Sequence, residues 1–417
     1  MEVIYERCCG LDVHKDVIVA CLMTGTKKKE IRSFKTFTDE LLTLVDWIKV
    51  EGCQHVAMES TGSYWKPIYN LLELEEIPTM VVNAQHIKTV PGRKTDVKDA
   101  EWIASLLKHG LLRGSFIPKR DQRELKELTR YRRSLIDEKA RELNRIQKVL
   151  EGANIKLGSV VSDIDGVSSL EMIKALIVGT ESVEEMSLHA RTKMKKKTEE
   201  LKRALNGLIQ QHQKMILSTI LRHIEYLESE IKILDEEVKE RLKSVQDKVD
   251  KLDAIIGVGT RSAQTIIAEI GTDMSVFPTS AHLASWAGMC PGNNESAGKK
   301  KSGKTRKGST SLKSTLVECA KAASRSKDTY LAAQYKRIAA RRGKNKAAIA
   351  VGHSILVISY SILKNNTEYK NLGGDYFDKI RKDKIIQISV KRLEALGLKV
   401  TIEEATSIEK VALAETS

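Results

Sequence analysis

Four carboxylates, Asp12, Glu59, Asp96 and Asp99, are the side chains whose types and spacing could do chemistry. Asp12 lies in GLDVHKD, Glu59 in AMESTGSYW, and Asp96 and Asp99 in KTDVKDAEWIASLL. Set at i and i+3, the last two share one face of a helix. Magnesium takes a few carboxylate oxygens together with water and substrate phosphate. Two such ions about 4 Å apart clamp the attacking and leaving oxygens of a phosphoryl transfer. A single Asp is more often a helix cap or a solvated charge, so the reading depends on a fold that gathers all four. Asp16, Asp46 and Glu101 are nearby acids that the reading leaves out: Asp16 sits across a turn, and Glu101 points away from the Asp96/Asp99 face.

The elements that must position these acids are legible as alternating signals. Residues 6–12, 16–23 and 30–37 read as three strands joined by short polar turns. A helix starts at Asp39 and is ended by Gly52; the strand HVAME follows, then a helix over about 64–74. The strand TMVVNA and a helix over about 95–109 complete the order βββαβαβα, that of the ribonuclease H-like fold. In that topology the first and fourth strands are neighbours and the last helix packs beside their ends, so the four carboxylates converge.

A second candidate lies in CPGNNESAGKKKSGKTRKGSTSLKSTL, residues 290–316. Glycines interleaved with Lys299, Lys304, Arg306 and Lys307 make a flexible, phosphate-binding basic loop that also holds Ser296 and Ser302. A serine hydroxyl attacks only when a base or metal activates it and cations stabilise the developing charge. On composition alone, a surface loop that merely grips nucleic acid, its serines forming turns, is the favoured explanation of the segment. A third candidate, IIGVGTRSAQTIIAEIG, resembles a helix–hairpin–helix turn whose backbone N–H groups at Gly257 and Gly259 would meet a DNA phosphate. His14, His55, His86 and His353 are scattered and read as structural. Trp65 reads as packed behind the sheet.

Beyond residue 120 the chain is mostly helical. Leu125, Leu128, Tyr131, Leu135, Ala140, Leu143, Ile146 and Leu150 suit one helical face. Leu217, Ile224, Ile231, Val238, Val245 and Leu252 recur at heptad intervals, with Ile220, Leu227 and Leu234 on the second seam position. That seam serves a bundle within one chain or a coiled-coil arm between chains equally well. Residues 151–200 are weakly patterned, with a solvated basic run at Lys193–Lys197. The 70 Lys and Arg against 55 Asp and Glu give +15, which favours a polyanionic partner through counterion release. The six cysteines form no CxxC pair and no zinc-finger spacing with histidine. The N-terminus lacks the pattern of a signal peptide, and no apolar run reaches the ~18 residues of a membrane span, so a reduced, cytoplasmic protein is expected.

The motifs together resemble the DEDD-type transposases of the insertion sequence 110 family, which includes the pilin-gene inverting recombinases. The likeness rests on GLDVHKD, AMESTGSYWKPIYNLL and VNAQHIKTVPGRKTDVKDAEWIASLLKHGLL, and C-terminally on the glycine turn and SWAGMCPGNNESAGKKKSGKTRKGSTSLKSTLVECA. The resemblance implies an α/β, ribonuclease H-like catalytic domain over 1–115, similar to Holliday-junction resolvases, with Asp12, Glu59, Asp96 and Asp99 as its D-E-D-D set. It implies long coiled-coil helices over 116–252, a mostly helical transposase domain over 253–370, and a tail over 371–417. Ser296 would be the nucleophile that joins covalently to DNA, with Ser302 as the other alignment of the same segment. Some members are guided by a structured noncoding RNA and assemble as oligomers in which one chain's carboxylates meet another's serine. In the mechanism so implied, Mg2+ on the quartet orients the scissile phosphate and activates Ser296, while Lys299, Lys304 and Arg306 neutralise charge. The phosphoserine link keeps the free energy of the phosphodiester for rejoining. A junction-resolving nuclease using metal-activated water, and a non-catalytic nucleic-acid scaffold, are the competing readings.

Overall fold

The computed structural model describes residues 2–25, 28–60, 62–83, 99–292, 294–296, 299–302, 305 and 308–402, with backbone alone for 294–296 and 299–302. The chain divides into two compact units, Met1–Lys119 and Arg120–Ser417.

The first unit is built on strands β1 (Arg7–Val13), β2 (Val17–Thr24), β3 (Lys28–Lys35), β4 (His55–Glu59) and β5 (Thr79–Val82), interleaved with helices α1 (Thr38–Val50), α2 (Trp65–Leu74) and α3 (Asp99–Lys108). The sheet order is β3-β2-β1-β4-β5. The first three strands form an antiparallel meander, whereas β4 and β5 add in parallel to β1. A parallel neighbour needs a crossover, which α1 and α2 supply. Side chains alternate along β1, so Cys9, Leu11 and Val13 face one way, into a core with Leu44, Ile48, Ile68 and Leu72 of α1 and α2. Each of those aliphatic side chains, fully withdrawn from water, contributes roughly 1.5–3 kcal/mol. Cys8 faces the other way, with Ala57 of β4 and with Ile103, Leu106 and Leu107 of α3. Both faces of the sheet are therefore covered, and Cys8 and Cys9 act as small core hydrophobes. Burial pushes the Cys8 thiol up to about 11.

The second unit is helical. Its long members are α4 (Arg120–Gly152), α5 (Val167–Val178) and α6 (Gln211–Leu242), followed by α7 (Gln246–Asp253), α8 (Thr260–Ile270), α9 (Thr310–Ala323), α10 (Tyr330–Arg342) and α11 (Lys344–Asn365). Ion pairs Glu124–Arg241 at 2.9 Å, Arg132–Asp235 at 2.9 Å and Lys139–Glu228 at 2.6 Å pair rising numbers on α4 with falling numbers on α6, so the two run antiparallel. The heptad positions Leu217, Ile220, Ile224, Leu227, Ile231 and Val238 are buried within this unit. The partner for the seam is thus supplied by the same chain. The helix stops at Leu242, short of the heptad's end. Val245 lies in a 3-10 turn, and Leu252 lies in α7, where it and Val249 are fully buried in a different core.

The single-face reading of α4 is out of phase in places. Tyr131 is 61% exposed, whereas Arg132 beside it is buried. Residues 151–200, which the sequence pattern left weak, contribute to a packed core instead: Leu157, Met172, Ile173 and Leu176 close against Ile146, Leu201 and Leu217. The basic run at Lys193–Lys197 is a 3-10 turn with no buried residue. One helix, α11, is long and apolar enough to cross a membrane, which corrects the absence of such a run noted above. Ten of its residues, Val351, Ile355 and Leu356 among them, are buried in the unit, so it reads as the core helix of a bundle.

Candidate active site

Asp12 and Glu59 close neighbouring strands. The parallel register of β1 and β4 sets Cys8 beside His55 and Leu11 beside Met58; continued by one residue it sets Asp12 beside Glu59. Neighbouring strands lie about 4.8 Å apart, and laterally paired residues share a face. Their face is the one that α3 covers. Gly10, two residues before Asp12 on the same face, lies so close to α3 that a Cβ there would stand 2.3 Å from Ala100 O and 2.4 Å from Ala104 N. The helix runs opposite to β1: Ala100 packs at Gly10, Cys8 Sγ contacts Ala104 O at 3.6 Å, and Ile4 N donates to Lys108 O at 2.9 Å. Asp99, first residue of α3, is therefore carried to the end of the sheet where Asp12 and Glu59 stand.

Three of the four expected carboxylates thus share one end of the sheet. Asp96 lies outside the described residues. Among the described residues no group of three His, Cys, Asp or Glu side chains stands close enough together to hold a metal ion. The three acids at this edge are oxygen ligands, the donor type that a hard cation takes. Glu101 is set apart as expected, held by Lys29 at 2.6 Å. His14, read from sequence as structural, has its Nε2 3.1 Å from Asp12 Oδ2 and is exposed. Its spacing of two after Asp12, across the β1–β2 turn, was the available signal. Trp65 packs edge-on against Tyr69 at 5.4 Å in the core behind the sheet, and Tyr64 is 44% exposed.

In the second unit the basic segment is a hairpin rather than a free loop. Strands β6 (Asn294–Ser296) and β7 (Lys299–Ser302) pair antiparallel, Ser296 opposite Lys299 and Ser302 opposite Asn294. Ser296 therefore flanks the turn, with Lys299 directly across, and Ser302 lies at the far end. Lys304, Arg306 and Lys307 lie outside the described residues. Residues 298–305 read GKKKSGKT, the spacing of a nucleoside-triphosphate phosphate loop, a match the sequence reading passed over. That motif needs its intervening residues as a loop between strand and helix. Here they form β7, so the structural context is missing.

The hairpin is tied down at its foot. Pro291 and Thr305 form a β-bridge, Lys313 Nζ donates to Thr305 Oγ1, and Gly308 lies against the backbone of Ala287 and Gly288. Ser309 caps α9 by accepting from Leu312 N, and its hydroxyl also donates to Glu269 Oε2 at 3.0 Å. Glu269 has no exposed side chain and receives two hydrogen bonds from Arg130, at 2.6 and 3.0 Å. Burial raises its pKa, but Arg130, Lys126 and Ser309 outweigh burial and hold it below the usual carboxylate range. In the glycine turn, a Cβ on Gly257 (φ +87) would stand 2.5 Å from Cys319 O, so helix packing accounts for that glycine. A Cβ on Gly259 would meet nothing within 4 Å, and Gly259 is the N-cap of α8.

Two family models match these two regions. One for DEDD-type insertion-sequence proteins, described as "Transposase", covers residues 9–155 and so the whole carboxylate set. One described as "Transposase IS116/IS110/IS902 family" covers residues 249–336, from the glycine turn through the serine hairpin. No curated protein matches the chain. The two matches make this a transposase, an enzyme that cuts and rejoins DNA. Within that class the chain belongs to the IS110 family, whose models span more than half of its length.

Proposed function

We propose that the chain is a serine recombinase of insertion-sequence DNA, with a ribonuclease H-like N-terminal unit and a C-terminal nucleophile, Ser296. The observation that carries this reading is the β1–β4 register together with the close seat of α3 on Gly10, which gathers Asp12, Glu59 and Asp99 at one sheet end. The sheet order β3-β2-β1-β4-β5 supports the ribonuclease H-like assignment.

Asp12, Glu59 and Asp99, joined by Asp96, would hold Mg2+, which when bound polarises and orients the scissile phosphate. The Ser296 hydroxyl oxygen bonds to phosphorus, and the bond from phosphorus to the leaving strand breaks. The serine's proton ends on the departing oxygen. Reversal with a new strand end restores serine and a phosphodiester, with no net hydrolysis. Lys299, directly across the hairpin from Ser296, would neutralise the phosphate together with Lys304, Arg306 and Lys307, which follow it in sequence. Gly259 offers backbone donors to DNA further along the unit. A structured noncoding guide RNA and assembly with further copies of the chain, as in relatives of this type, complete the proposal. Since the α4–α6 seam is filled within one chain, further copies would meet through other surfaces.

The test is a denaturing gel of protein incubated with its flanking noncoding RNA, labelled element-end DNA and magnesium. A protein–DNA band that disappears in Ser296→Ala supports the serine reading. Cleaved DNA with no linked protein would replace it with the junction-resolving nuclease, in which water attacks.

A further inference from the structure

At the foot of the β6–β7 hairpin the second unit opens into a cavity of about 920 Å3. The bridged pair Pro291 and Thr305 forms one side, and α10 and α11 form the other. Three features of its lining belong together. First, Lys313 and Lys346 line it, no Asp or Glu does, and neither lysine has a carboxylate partner among the described residues. Lys313 is held in place through Thr305, and Lys346 is exposed at the rim. Uncompensated cations at a cavity mouth favour an anion. Second, Met289, Ile349 and Ala350 supply apolar surface, which a phosphate alone would leave unused.

Third, a polar edge lies among these apolar groups. Gln334 Nε2 donates to Ser354 Oγ at 2.9 Å, and its Oε1, shielded from water, has no partner among the described residues. A buried acceptor left unpaired destabilises the fold, and an incoming N–H donor would remove that penalty. If the amide is turned over, the free atom becomes a donor, and the need for a partner is the same. His353 adds a ring that burial keeps on the neutral side, able to donate or accept.

Cation, apolar face and amide edge are the three requirements of one nucleotide: phosphate, base face and base edge. A paired base has its faces stacked and its edge engaged, so only an unstacked nucleotide fits such a site. We propose that this cavity receives one unstacked nucleotide of a DNA strand, its phosphate on Lys313 and Lys346 and its base on Ile349 and Ala350 with its edge toward Gln334. DNA is the source because the cavity adjoins the hairpin that carries Ser296; in this the inference rests on the recombinase reading above. The site would hold a strand displaced beside the scissile phosphate.

The experiment uses the full chain and a short mixed-sequence single strand carrying 4-thiothymidine, crosslinked with ultraviolet light and mapped by mass spectrometry. Crosslinks are expected in the peptides containing Met289 and His353. Lys346→Ala should flatten the dependence of log binding constant on log salt by about 0.7, the signature of one lost single-strand phosphate contact. Ala350→Trp, which fills the cavity, should weaken single-strand binding about tenfold, as loss of one base contact does, with duplex binding unchanged. Crosslinks elsewhere with both variants binding as wild type, no single-strand binding at all, or capture of an RNA strand in preference to DNA would each overturn the proposal. The serine adduct is read separately. Adduct formation without these crosslinks removes the cavity and keeps the mechanism; crosslinks here without an adduct do the reverse.

Discussion

Glu269 illustrates what a single residue can hold together. Its carboxylate joins Arg130 and Lys126 of α4 to Ser309, the cap of the helix that follows the serine hairpin. Removing one partner of a buried pair leaves the others uncompensated, so Glu269→Ala is expected to destabilise the chain by about 3–5 kcal/mol. Because the folded carboxyl lies below its ordinary range, its stabilisation is present at neutral pH and is lost as pH falls through the carboxylate range. Melting temperatures measured from neutral to acid pH should fall more steeply for wild type than for Glu269→Gln, which has no proton to take up there. Equal slopes would mean that the carboxylate contributes no such linkage. Nothing in the sequence marks Glu269 or Arg132 as paired, since their charged partners lie more than a hundred residues away. Asp12 and Glu59 were legible because each ends a short apolar strand. His14 was passed over because it was read as one of four scattered histidines, and its spacing of two after Asp12 was not weighed.

At the scale of elements, the position of α3 rests on an absent side chain. Gly10 allows the helix backbone to touch the strand, and Asp99 reaches the sheet end through that contact. Gly10→Ala should push α3 away, at a cost of about 1–3 kcal/mol for overpacking. DNA cleavage should fall further than the lost stability explains, because the acids separate; single-turnover cleavage at a temperature where the variant stays folded measures this. Full activity in that variant would mean that Asp99 is not tied to the sheet by this contact. The strands of the first unit were legible to within a residue or two, since alternation and short polar turns locate them. The long helices were legible as helices, but the phase of α4 was not. Period alone does not report that Arg132 could be buried by Asp235 and Gln264 while Tyr131 stays in water. Residues 151–200 were illegible for a related reason: their helices are short, and each contributes only a few apolar residues to a core shared with Ile146 and Leu217.

On the scale of the molecule, two units each have a core of their own. In the first, both faces of a five-stranded sheet are covered within Met1–Lys119. A fragment of residues 1–119 is therefore expected to fold alone, with a single cooperative thermal transition followed by circular dichroism. A broad, non-cooperative melt would mean that this core needs the rest of the chain. The first family match, residues 9–155, runs past the boundary near 119 into the second unit, and that boundary was visible in sequence only as the onset of long helices.

The seat of α3 on β1 also sets a clock during synthesis. Strand β1 is made before its parallel neighbour, which begins at His55, and before its covering helix, which begins at Asp99. The 87 residues from Asp12 to Asp99 correspond to roughly 4–17 s at about 5–20 residues per second. Until that helix emerges, the groove at Gly10 stays open and the carboxylate edge is incomplete. A nascent chain that has not yet reached Asp99 is thus an unarmed one, and any product terminated before Asp99 stays so.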